Sequence, residues 1–181
     1  MSEIELLHLD GAGTLDRFAS IQQVYAIAFP SSDLGDHRWR TTRQAGRAGF
    51  EAVLAQDDGV LVGFAYGLPL DERTGWWDGL RPPPEIGFTT ETGGRTFAVI
   101  DLAVLPSHRG RGLGRRLLDD LLASRPEERA TLATDPAKKT VQAMYERWGW
   151  RMVGTTPGGA RTTHPAFDLY MIALGADSNS R

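Results

Sequence analysis

Apolar positions along the chain alternate, run together or recur every third and fourth residue, and each pattern names an element. Ile4–Leu9 alternates weakly, as an edge strand does. Leu15, Phe18, Tyr25 and Phe29 fall near one face of a helix that Pro30 helps to close. His37–Gly49 predicts a second, weaker helix carrying Arg38, Arg40, Arg43 and Arg47. Phe50–Ala55 and Val60–Tyr66 flank Asp57-Asp58-Gly59, the pattern of two strands joined by a tight turn. Phe97–Leu105 is apolar almost throughout, as for a strand covered on both faces, and only Asp101 interrupts it.

Beyond Pro106 the pattern changes to glycine-punctuated turn and then helix. Leu113, Leu117, Leu118, Leu121 and Leu122 recur at gaps that make one apolar stripe. Ala130–Thr134 predicts a short strand, and Asp135-Pro136 a helix start, since Asp caps free N–H groups and Pro needs none there. Val141, Met144, Tyr145 and Trp148 give that helix its buried face before Gly149 stops it. Trp150–Val153 and Phe167–Leu174 are closing strands. Pro69–Pro84, around an exposed-looking Trp76-Trp77 pair, and Thr155–Pro165 are long loops. The order predicts an α+β domain of the three-layer α/β type, with a mixed central sheet flanked by helices. No internal repeat divides it, so residues 1–174 are expected to be one domain, with 175–181 a small polar tail.

Composition narrows the chemistry. The 181 residues carry 20 Lys+Arg and 23 Asp+Glu, and 20 − 23 gives −3. With 41% hydrophobic and 24% charged residues, the chain reads as a soluble globular protein. The absence of cysteine excludes disulfides, thiolate metal sites and a cysteine nucleophile, and no metal is expected. Met1–Asp10 lacks the basic start and apolar block of a signal peptide, and no run approaches the ~18 apolar residues of a membrane span. A cytoplasmic protein without membrane or nucleic-acid partners is the expectation, slight acidity arguing against a general nucleic-acid binder.

The segment richest in chemistry is His108-Arg109-Gly110-Arg111-Gly112-Leu113-Gly114-Arg115-Arg116. Three alternating glycines stand between a buried strand and an amphipathic helix. Glycine admits backbone angles closed to other residues, and the first helical turn offers unpaired N–H groups at the positive end of the helix dipole. Such an end binds phosphate or diphosphate, although a tight turn needs the same glycines. Neither frame fits the dinucleotide spacing Gly-x-Gly-x-x-Gly, because Arg115 and Leu117 stand where the third glycine belongs. The P-loop spacing is absent too. Arg-x-x-Gly-x-Gly does fit, with Arg109, Gly112 and Gly114, preceded by Leu102-Ala103-Val104-x-Pro106.

That signature resembles the acyl-coenzyme A motif of the GNAT superfamily of N-acetyltransferases. Downstream, Ala143-Met144-Tyr145-Glu146-Arg147-Trp148-Gly149-Trp150 is similar to the family's second motif, and the element order over Ile4–Leu174 matches its fold. The resemblance implies an enzyme that moves the acetyl group of acetyl-CoA, without a metal, to a primary amine. A small-molecule acceptor is the first expectation, with a peptide amine or a non-catalytic acyl-CoA sensor as alternatives. It implies that Leu102, Ala103 and Val104 pair their backbone with the pantetheine arm. Arg109, Gly110, Arg111, Gly112, Leu113, Gly114 and Arg115 would hold the diphosphate. Tyr145 would protonate the departing thiolate, unless it only packs its helix. Many family members pair, which makes a homodimer a candidate assembly.

Without a thiol for an acyl-enzyme, the amine attacks directly. An alkyl amine of pKa near 10.4 is neutral in only about one molecule in 2,500 at pH 7, so a base must take its proton. Asp101, the sole charge in its strand, is the first candidate, against a carboxylate held by local bonds. Glu91, Glu85 and His108 follow. The family's frequent Asn seven residues before the Tyr is replaced by Lys138, and a catalytic Glu of some members by Ala133.

Overall fold

The computed structural model describes residues 3–159 and 162–175. The chain divides into two compact units, Met1–Leu68 with Val99–Arg125 and Pro69–Ala98 with Pro126–Arg181. Chain order opens with β1 (Glu5–Leu9), α1 (Gly11–Asp16), α2 (Phe18–Ala28) and α3 (Leu34–Ala45). The hairpin strands β2 (Glu51–Asp57) and β3 (Val60–Pro69) follow, then β4 (Thr96–Val104), one 3-10 turn at Pro106–His108, and α4 (Leu113–Leu122).

In the first unit β1 pairs antiparallel with β2, and β2 with β3. The hairpin turn takes the expected form, with Asp58 at φ 48° and Gly59 at φ 78°, both in the left-handed region such turns require. The single helix expected through Leu15–Phe29 is instead α1 and α2. The chain leaves helical geometry at Arg17, whose N–H is shared between the carbonyls of Gly13 and Thr14. Leu15 therefore turns outward, 38% exposed, and Phe18, Ile21, Val24 and Tyr25 form the buried face. α3 starts ahead of His37 because the Asp33 carboxylate accepts the N–H groups of Gly35 and Asp36. The core joins Ile21 and Val24 of α2 to Leu54, Phe64 and Tyr66 of the hairpin. Leu117, Leu118 and Leu121 of the α4 stripe are fully buried, each contributing roughly 1.5–3 kcal/mol.

The second unit contains β5 (Arg129–Thr134), α5 (Lys139–Arg147), β6 (Arg151–Pro157) and β7 (Ala166–Ala173). Here β4 begins, pairing parallel to β5 through Thr96↔Arg129, Phe97↔Ala130 and Ala98↔Thr131. β7 is antiparallel to both β5 and β6. α5 begins later than the Asp135-Pro136 pattern suggests. Asp135 spends its carboxylate on Ala137 N–H (2.9 Å) and its carbonyl on Lys138 N–H (3.0 Å), closing a turn first. β6 extends to Pro157, so the loop expected from Thr155 starts after it. Trp77 is 5% exposed and belongs to the core, while Trp76 is half-buried with its indole N–H on Thr131. The expected tail from 176 onward lies outside the described residues.

In hydrogen-bonding order the strands run β1-β2-β3-β4-β5-β7-β6. This is the mixed sheet with accompanying helices that the sequence pattern led to.

Candidate active site

At the end of β4 the Leu105 N–H still bonds the Val62 carbonyl at 2.9 Å, and the chain then turns through Pro106–His108. His108, one of the lesser candidate bases, is a tie. Its Nε2 lies 3.0 Å from Asp57 Oδ2 and its Nδ1 2.8 Å from Ser107 Oγ. Arg109 folds back to donate its Nε–H to the Val104 carbonyl at 2.9 Å, fixing the loop to the strand before it.

Gly110 and Gly112 have φ of 74° and 76°. A Cβ at either would meet no atom within 4 Å, so backbone conformation, not protein packing, requires glycine there. The first bond of α4 runs from Arg116 N–H to Gly112 O at 3.0 Å. The N–H groups of Leu113, Gly114 and Arg115 therefore have no acceptor within the helix, and no side chain caps them. Arg111 is exposed and makes no hydrogen bond or ion pair among the described residues. Arg115 has only a 3.4 Å contact to Asp119, both well exposed, while Arg116 reaches the Ile4 carbonyl. An uncapped ten-residue helix with loose guanidinium groups at its start fits a diphosphate, each N–H to anion bond being worth about 1.5–3 kcal/mol.

Asp101 lies on β4 just before Leu102, which is half-buried, and Ala103 and Val104, which are buried. Its side chain is 13% exposed. The Tyr66 hydroxyl donates to Asp101 Oδ2, and His37 Nε2 stands 3.7 Å from the same oxygen. Tyr66 has one O–H proton, and its hydrogen bond is spent on Asp101. His37 Nε2–H (3.0 Å) and Thr41 Oγ1–H (3.1 Å) must then donate to the phenol oxygen. This assignment leaves His37 Nδ1 as a bare buried nitrogen without a partner. The Tyr25 ring stacks on His37 at 3.6 Å between centroids, 4° from parallel. Arg40 joins the margin of the cluster, its Nε–H on Asp36 at 2.7 Å and its Nη2 3.5 Å from the Tyr25 hydroxyl.

Electrostatics follow from this packing. Burial pushes the Asp101 carboxyl up to about 6, against the opposing pull of Arg40 and the Tyr66 hydroxyl. Burial likewise lowers His37 to about 4, so its ring is neutral near pH 7. Tyr66 is raised well above its ordinary value by burial and by the Asp101 charge, and stays a hydroxyl. A carboxylate near pH 6 with one donor and partial access is suited to take a proton.

The sequence singled out Asp101 and the glycine loop, and the first unit holds both. It did not single out Tyr66, His37 or Thr41. The available signal was His37, Arg40 and Thr41 at i, i+3 and i+4, one face of a helix. In the second unit Tyr145 is buried on α5, edge-on to Trp148 and Trp150 with centroids 5.7 and 6.1 Å away. Glu91, the second candidate base, is locked instead. Its Oε1 accepts from Trp77 Nε1, Thr96 Oγ1 and Arg129 Nη2 at 3.0, 2.7 and 3.1 Å. Glu85 is exposed. No group of residues suited to hold a metal ion occurs among the described residues.

Comparison with known proteins bears on the same segments. A phosphinothricin acetyltransferase of the GNAT superfamily from Sinorhizobium meliloti, solved in complex with acetyl-CoA, superposes with a TM-score of 0.64 at 17% identity, covering 100% of this chain and 93% of that one. The ribosomal-protein-S18-alanine N-acetyltransferase of Escherichia coli gives 0.66 at 13% identity, covering 99% of each chain. An aminoglycoside 6'-acetyltransferase type Ii gives 0.66 at 20% identity, covering 93% of this chain and 96% of that one. At these identities the likeness is one of fold. Residues 17–150 match the model of the acetyltransferase (GNAT) family, a span that takes in α2, the Asp101 cluster, the glycine loop and Tyr145. With well over half its length matched and that fold around it, this chain is a member of the GNAT acetyltransferase family.

Proposed function

We propose that this acetyltransferase moves the acetyl group of acetyl-CoA in one direct step to the primary amine of a small molecule. The observation that carries the reading is the pairing, within one compact unit, of a raised-pKa carboxyl on β4 with an uncapped helix start just after that strand. Bound acetyl-CoA supplies an acetyl group activated as a thioester.

The loop N–H groups of Leu113, Gly114 and Arg115, with Arg111, hold the diphosphate. Arg109 keeps the loop on the strand, and Leu102–Val104 offer backbone groups along the donor's arm. Asp101, ionised above about pH 6, takes the proton that converts the acceptor's ammonium to a free amine. The amine nitrogen then bonds to the acetyl carbon and gives its second proton to solvent as the amide forms. The Tyr145 hydroxyl gives its proton to the departing sulfur as the carbon–sulfur bond breaks, and regains one from solvent.

Thiol release from acetyl-CoA, followed with a panel of primary amines, tests the reading together with titration calorimetry of coenzyme A. Saturable binding with amine-dependent release supports it. Binding with no release from any amine makes the chain a sensor and overturns it. Tyr145→Phe is expected to cut turnover roughly tenfold or more while acetyl-CoA affinity stays near wild type.

A further inference from the structure

The arginines of α3 do not share one environment. Arg38 lies over the Phe18 ring at 4.9 Å, and Arg43 over the Trp39 ring at 4.8 Å. Arg40 stands on the face of α3 that carries His37 and Thr41, turned toward the Asp101 cluster. Its guanidinium is steered from one side only. Asp36 takes the Nε–H at 2.7 Å, and the Tyr25 hydroxyl lies at the limit of hydrogen bonding from Nη2 at 3.5 Å. Of five guanidinium N–H donors, less these two, three have no acceptor in the protein among the described residues. They are both hydrogens of Nη1 and one of Nη2, enough for the terminal edge to take a carboxylate through two parallel bonds.

Arg40 and Asp101 feel each other's charge, yet they form no ion pair. Arg40 is ion-paired with Asp36 through Nε alone, which leaves the Nη1 end of its guanidinium able to face a second anion. A plain ammonium would be drawn to Asp101 and repelled by Arg40. A zwitterion satisfies both, nitrogen to Asp101 and anionic oxygens to Arg40.

We propose that Arg40 grips a carboxylate on the acceptor, so that the enzyme acetylates amines of the amino-acid type, with the carboxylate a few bonds from the reacting nitrogen. The inference rests on Asp101 being the base. Asp36, bound at Nε, then fixes the direction of the guanidinium and leaves the terminal edge to the acceptor.

The test is thiol release from acetyl-CoA with free α-amino acids, their α-amides, the decarboxylated amines, polyamines and short peptides, each kcat/KM corrected to the neutral-amine fraction. Wild type is expected to favour the free acid over its amide by roughly tenfold to hundredfold, mostly through KM, as loss of a bidentate charged contact predicts. Arg40→Gln brings that ratio near unity, Arg40→Lys restores part of it, and Arg43→Gln leaves it at the wild-type value. The wild-type ratio needs no variant, so misfolding of one cannot rescue the idea. Equal or better use of amides, polyamines or peptides overturns the carboxylate inference while leaving acetyl transfer intact. Binding of acetyl-CoA without turnover of any panel member overturns both it and the enzymatic reading.

Discussion

Asp101 and Asp168 are the same event in the sequence, a lone carboxylate inside an apolar strand, and the structure puts them to opposite uses. Asp168, on β7, is 5% exposed and spends both oxygens on neutral donors. Gln142 Nε2 donates to Oδ2 at 2.7 Å and Thr155 Oγ1 to Oδ1 at 2.7 Å, Gln142 also reaching Thr134 at 3.1 Å. The network ties α5 to β5, β6 and β7. Asp101 has one firm donor, Tyr66, and remains partly accessible beside a neutral His37. A carboxylate saturated with protein donors is a structural rivet. One that is buried but under-bonded has chemistry left to do.

Exchanging the two roles by mutation gives the largest expected effects. Asp101→Asn keeps the acceptor for Tyr66 but cannot take a proton, so kcat/KM at pH 7 is expected to fall roughly 100- to 1,000-fold. The deficit shrinks as pH approaches the amine's own pKa, where neutral acceptor forms unaided. A deficit constant across pH would reassign the base. Asp168→Ala instead strands the Gln142 amide and the Thr155 hydroxyl in the interior, and should lower stability in urea unfolding by about 2–4 kcal/mol.

The same pair separates in stability at neutral pH. An Asp101 carboxyl that titrates near 6 folded and 3.8 unfolded favours the fold below about pH 4, and that contribution is lost as pH rises through 6. Asp101→Asn should therefore be more stable than wild type at pH 7–8 by up to roughly 3 kcal/mol, and the gain should vanish toward pH 4. Urea titrations at pH 4, 6 and 8 measure it. Equal stabilities at pH 8 would mean that ionised Asp101 is better solvated than its packing indicates.

Local periodicity was enough for elements whose apolar pattern is set by their own neighbours. The α4 stripe, the Asp58-Gly59 turn and the β4 run all appear where the pattern puts them. It failed where a pair of local hydrogen bonds decided a boundary, at Arg17 between α1 and α2 and at the Asp135 turn before α5. The glycine loop was legible because positive φ and helix starts leave a signature in spacing. The Asp101 network was not, since Tyr66 reads as one more apolar strand residue and His37 as one more helix residue. Only the packing of α3 on the hairpin brings their polar atoms to a single oxygen. Asp168 looked no different from Asp101, because its two donors come from two other elements, α5 and β6.

The finest test of the contrast is Tyr66→Phe. Tyr66 is fully buried between Phe50 and Phe64, with ring centroids 5.5 Å from each, so a phenylalanine ring fills the same space. What it removes is the O–H that favours the charged form of Asp101. Burial then acts with less opposition, the carboxyl's midpoint rises above about 6, and the acid limb of kcat/KM should move to higher pH by about one pH unit. At pH 8 the base is ionised in either protein, so rates there stay within a few fold of one another, whereas at pH 6 the variant lags by up to tenfold. Thr41→Val is the control, since Thr41 touches Tyr66 and not Asp101. A Tyr66→Phe enzyme slowed equally at every pH would make the phenol a packing element and Asp101 as self-contained as Asp168. A displaced limb instead shows that one hydroxyl, by remaining the sole firm donor, sets the pH at which the carboxylate works.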